Sequence, residues 1–233
     1  MRIAAIQHRL RGDAAEDARA LAAAASSAAS RGASLVVCPH VASLRSGGGE
    51  GAVLLGELLA DVPALCLVPD VDPESRGLAL EITLPVIEGA PDGLGMAALV
   101  IGDACIDPGE MAALSAKRPG IAVLSPRSQT DLQAEAMLEY AIALSDSLSG
   151  VVIVAECSGA EPFEAGHGGS AIVVLGDVLA EALAPDDILI AEVPVPFPEP
   201  KPREPLPPVP PLLAQRLELH HGLLSPGHGP DLS

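Results

Sequence analysis

Short apolar runs that alternate with helical stretches constrain this chain more than any other feature. The runs 2–7, 35–38, 64–68, 96–101, 121–124 and 151–155 are too short for helices and rich in Val, Ile, Leu and Ala. Runs of that length and composition read as strands, the shortest of them buried on both faces. Helical patterns fall between them, over 13–31, near 52–60, from Pro108 to Lys117 and from Asp131 to about Ser149. In the first helix Asp13 stands at the N-cap, Glu16 follows three residues later as in a capping box, and Gly32 closes the end. Residues 78–84 alternate and read as a further strand. Residues 169–174 and 178–182 read as two strands joined at Gly176-Asp177, a hairpin signal, and 188–193 as a last strand. This alternation defines an α/β layered domain.

From Pro194 to Pro211 about every second residue is proline. Such a stretch favours an extended, polyproline-like conformation. The expected organisation of the 233 residues is one domain over 1–193 and a proline-rich C-terminal extension over 194–233.

Hydrophobic residues make up 49% of the chain, so a sizeable core is available, but its aromatics are only Phe163, Phe197 and Tyr140. That core must be built from Ala, Val, Leu and Ile. The formal charge is −18, with Lys117 and Lys201 the only lysines. So acidic a surface repels phosphate backbones and anionic membranes, which argues against nucleic-acid and lipid partners. No apolar run reaches the length of a membrane span. The N-terminus reads as a strand, not as a signal peptide. Cys38, Cys66, Cys105 and Cys157 lie in or beside apolar runs, with neither zinc spacing nor the density of a disulfide scaffold. Buried free thiols, a cytoplasmic location and no metal or other cofactor are the expectation.

Several segments carry a resemblance. The order strand, helix, then Gly32-Ala-Ser-Leu-Val-Val-Cys-Pro-His40 resembles the opening of the nitrilase superfamily of carbon–nitrogen hydrolases. Strand 96–101, Pro108-Gly-Glu110, a helix and Pro119–Pro126 are similar to that family's nucleophile region. Val151–Gly159, the 169–182 hairpin and Pro208–His220 resemble its closing segments, in the same order. The resemblance covers about residues 1–220 and implies a four-layer αββα sandwich.

It also implies where a Glu-Lys-Cys triad belongs. In the family the glutamate takes a proton from the cysteine, the thiolate attacks a carbonyl or nitrile carbon, and the lysine stabilises the oxyanion. Here the glutamate position is His40, which can serve as a base, and the cysteine position is Gly102. The lysine is expected between strands 64–68 and 96–101, where Arg76 is the only cation. A guanidinium is no simple replacement for an ammonium at an oxyanion. Cys105, in Cys105-Ile-Asp107, imitates the family's Cys-x-Asp three residues late and is surrounded by Asp103, Asp107 and Glu110. On the helix from Asp131, Glu139-Tyr140 is the polar pair of interest. His167 sits in a glycine-rich loop, and His220, His221 and His228 have no defined metal spacing.

The resemblance therefore implies a protein that keeps the fold and lacks the triad: a non-catalytic binding, regulatory or assembly module. A homodimer or a protein partner is expected, or a small amide or acyl ligand in the remnant pocket. The alternative is an active amidase-like hydrolase with Cys105 as nucleophile and His40 as base.

Overall fold

A computed structural model of the chain describes residues 1–41, 44, 48–69, 80–83, 96–117, 119–159, 166–193 and 206–215. Arg76, His220, His221 and His228 lie outside the described residues.

The first sheet is built on β1 (Arg2–Arg9), which pairs in parallel with β2 (Leu35–Val37), itself parallel to β3 (Leu65–Leu67). Helix α1 (Ala14–Ser30) connects β1 to β2, and α2 (Glu50–Leu59) connects β2 to β3. The second sheet contains β4 (Leu80–Thr83), β5 (Met96–Ile101), β6 (Ile121–Ser125) and β7 (Val151–Val154). Helices α3 (Pro108–Lys117) and α4 (Asp131–Leu148) make the crossovers from β5 to β6 and from β6 to β7. The chain then returns to the first sheet. Two short strands, β8 (Cys157–Gly159) and β9 (Gly166–His167), pair with each other, and β8 also pairs with His8 and Arg9 at the end of β1. Strands β10 (Ala171–Val174) and β11 (Asp177–Glu181) complete the second sheet, in the order β11-β10-β7-β6-β5-β4. Last, β12 (Asp187–Glu192) runs antiparallel to β1.

Three apolar clusters separate four layers. Between the sheets, Ile3, Ala5, Leu35 and Val37 meet Leu99, Val123, Val151 and Ile153. The alternate residues Ala4, Ile6 and Val36 face α1 and α2 on the outside. Likewise Val100, Leu124, Val152 and Val154 face α3 and α4. Both faces of the central strands are therefore buried, which is why they read as unbroken apolar runs. On α1, Ala18, Leu21, Ala22, Ala25 and Ala28 recur at helical spacing on the buried face. Asp13 caps this helix as expected, its carboxylate accepting from Glu16 N at 2.8 Å.

The hairpin departs from its sequence reading by one residue. The turn is Leu175-Gly176, both at positive φ, and Asp177 already pairs with Val174. Leu175 bears this strained conformation while packing against the inter-sheet core. A bulge between Ile172 and Val173 follows, and β11 forms an edge of its sheet. Edge bulges twist a strand away from further pairing.

Candidate functional site

The C-terminal ends of β2, β5, β6 and β7 meet where the two sheets come together. His40 is the third residue after β2, and its backbone N–H donates to Ser125 Oγ at 2.8 Å. Ser125 is the last residue of β6, and its hydroxyl donates in turn to Ala155 O, just past β7, at 2.7 Å. In the β5–β6 ladder Ser125 is opposite Ile101, the residue before Gly102. The fold thus brings His40 and Gly102, predicted from sequence as two positions of one triad, to the same end of the sandwich.

At His40, Nδ1 lies 3.1 Å from Pro69 O. A carbonyl only accepts, so Nδ1 carries a proton. The His40 backbone carbonyl receives the Cys157 thiol at 3.5 Å.

Gly102 begins a tight 3-10 turn, Gly102–Ile106, with φ of +60°. A Cβ built on it would meet nothing within 4 Å. Gly102 thus stands in a sharp turn at a strand exit, and a side chain there would face open space. Glycine supplies the backbone conformation and no reacting atom.

Cys105 lies elsewhere. The turn carries it inward, fully buried, with its thiol donating to Val100 O at 3.2 Å. It packs in the cluster beneath α3 and α4 with Met111 and Tyr140. Burial, with the nearby Cys105 as a second cause, pushes the Tyr140 hydroxyl up to about 12. Tyr140 is therefore a neutral core residue, and Glu139 beside it is exposed. Lys117 ends α3 and is exposed.

Glu156 was not singled out from the sequence. It lies in the two-residue crossover from β7 to β8, at 1% exposure. Its carboxylate accepts from Ser128 N, and its own N–H donates to Ser170 Oγ at 2.9 Å. A Cβ on Gly169 would come within 3.4 Å of Glu156 Oε2. Glu156 thereby pins the loop after β6 and the glycine-rich approach to β10. A signal was available: an acidic residue placed two positions after the β-branched run Val151–Val154.

His167 belongs to a different region. It pairs with Asp131 at 2.9 Å on the surface, and its N–H donates to Ser128 O. Both line an open cavity of about 490 Å³ together with Gln7, Glu135, Leu138 and Glu181, and neither His40 nor Gly102 lines it. No group of three or more metal-ligating side chains occurs among the described residues. No helix among them is long and apolar enough to cross a membrane.

The architecture has solved counterparts. A cysteine-to-alanine mutant of an amidase of Nesterenkonia AN1, from the nitrilase superfamily, superposes with a TM-score of 0.66 at 17% identity, over 96% of this chain and 97% of that one. The same organism's NitN amidase matches with a TM-score of 0.63 at 19% identity, over 96% and 100% of the two chains. A mutant of that amidase in complex with butyramide also matches with a TM-score of 0.63. No family model and no curated protein matches the sequence. The fold is that of the nitrilase-superfamily amidases, the α/β sandwich expected from the sequence.

Proposed function

We propose that this chain is a degenerate relative of the nitrilase-type amidases: a binding, regulatory or assembly module that does not hydrolyse C–N bonds. The observation that carries this reading is Gly102. It stands in a tight turn at the exit of β5 with open space in front of it, at the position where the resemblance puts the nucleophile, and it carries no reacting group. Loss of the nucleophile alone removes the covalent route, and such losses cost several orders of magnitude in rate. The alternative, an amidase using Cys105 and His40, requires the Cys105 thiol to leave the core and its bond to Val100 O. A base needs hydrogen-bond reach of the proton it takes.

The ligand class consistent with this reading is a small amide or acyl compound held in the remnant pocket without reaction. Acrylamide and butyramide, which occupy the related amidase structures, are the first probes. Assembly as a homodimer or with another protein is the second part of the proposal. It is supported by the exposed apolar residues Leu132 on α4, Val178 and Leu179 on β11, and Leu183. Sedimentation of the purified chain tests it, and a monomer at high concentration removes the homodimer.

The activity experiment is a panel of small amides, nitriles and N-carbamoyl compounds, combined with iodoacetamide labelling of the native chain. The expected result is no turnover and slow labelling of Cys105. Turnover that vanishes in Cys105→Ala would replace this reading with the amidase.

A further inference from the structure

Part of the proline-rich segment packs on the chain's own core in a period of three. Leu206 and Val209 lie against the cluster beneath α3 and α4, whereas Pro208 and Pro211 are exposed. A polyproline helix has three residues per turn, so Leu206-Pro-Pro-Val-Pro-Pro211 sets its aliphatic residues on one side and a proline row on the other. Pro211 then opens a single helical turn, 211–215, where its missing N–H is no loss. That turn delivers Leu213 into the core at 1% exposure.

The hydrogen bonds of this segment are local: Leu213 N and Ala214 N both donate to Pro210 O, at 2.9 and 3.0 Å. Four of its ten residues are prolines, with no N–H to donate. Among the described residues, no backbone-to-backbone hydrogen bond joins 206–215 to a strand or helix of the body. The residues of the segment that join the core cluster are Leu206, Val209 and Leu213.

We propose that residues 206–215 form a releasable strap, which undocks as a unit from the α3–α4 core while both sheets stay paired. Segments held by few apolar contacts and no ladder hydrogen bonds open at lower free energy than the whole molecule. Release bares the surface on which Leu213 sits, part of the cluster that buries Cys105 and Tyr140. Docking covers it again. The strap is thus a switch for the outer core of the second sheet.

The test uses two thiols in the full chain. Leu213→Cys places one at the anchor, and native Cys38, fully buried beneath α1, reports global unfolding. Alkylation is followed peptide by peptide by mass spectrometry across sub-denaturing urea. The expected result is that position 213 reacts roughly 100-fold faster than Cys38, at a rate nearly independent of urea. Equal rates with the same steep urea dependence would overturn the proposal, because the strap would then leave only when the protein unfolds. Since Leu213→Cys weakens the anchor, amide exchange of the unaltered chain is the second measurement. Exchange at Leu213 and Ala214 well before Val152 and Ile153 supports the strap, and exchange together with them overturns it.

Discussion

His40 and Ser125 are joined across the two sheets: the His40 N–H donates to Ser125 Oγ at 2.8 Å, and that hydroxyl donates onward to Ala155 O at 2.7 Å. One buried side chain therefore ties the exit of β2 to the exits of β6 and β7. Ser125→Ala removes the acceptor of one backbone group and the donor to another. Leaving such groups unsatisfied costs about 1–3 kcal/mol. Urea denaturation measures the loss directly. A change below about 0.5 kcal/mol would show that this hydroxyl does not hold the sheets together.

Gly102→Cys tests whether the turn after β5 displays a side chain. The new Cβ has no neighbour within 4 Å, so the substitution fits sterically. The positive φ costs roughly 1–2 kcal/mol for any residue with a Cβ. The expected outcome is a folded variant whose new thiol reacts with iodoacetamide well ahead of Cys105, read by peptide mapping. Hydrolysis of acrylamide or butyramide is not expected to appear, because no lysine lies between β3 and β5 to meet the oxyanion. Slow labelling of the new thiol would mean that the turn is closed.

The layers were legible because burial on both faces leaves an unbroken apolar run, as in Val151–Val154. The strands β8 and β9 were not. They span three and two residues and contain Ser158, Gly159, Gly166 and His167, which carry no period. The change of sheet at Ala155-Glu156 was equally hidden, since pairing with β1 is decided by residues some 150 positions away. At the site, the positions of His40 and Gly102 could be inferred from motif order. The direction of Cys105 could not, because a five-residue 3-10 turn rotates each side chain in a way that spacing alone does not fix. Ser125 escaped notice because its partner His40 is 85 residues distant.

Glu156 supports the loop after β6 by accepting a hydrogen bond from Ser128 N, at a site almost sealed from water. Glu156→Ala leaves that N–H without its acceptor and a gap beside Gly169. Leaving a buried donor unsatisfied costs about 1–3 kcal/mol. Glu156→Gln keeps an oxygen for Ser128 N and is expected to lose clearly less. Thermal unfolding of the two variants separates the readings. Equal losses would show that the charge matters more than the acceptor.

His8 makes the fold sensitive to acid. Its Nδ1 accepts from Arg11 Nη1 at 3.3 Å, so Nε2–H donates to Asp17 Oδ1 at 2.7 Å, and the ring is neutral. Asp186 stands 3.8 Å from the same Nδ1 and also pairs with Arg11. Burial lowers the His8 pKa from 6.5 more than the Asp17 hydrogen bond raises it. The unfolded chain therefore binds the proton more readily than the folded one. Stability from this group is fully present above the unfolded value of 6.5 and falls as the pH drops through the lowered folded value. Urea midpoints recorded from about pH 8 down to about pH 5 should show this decline. His8→Gln, which cannot take up the proton, should flatten that part of the curve while lowering stability at neutral pH. An unchanged pH dependence in His8→Gln would assign the acid sensitivity to other groups.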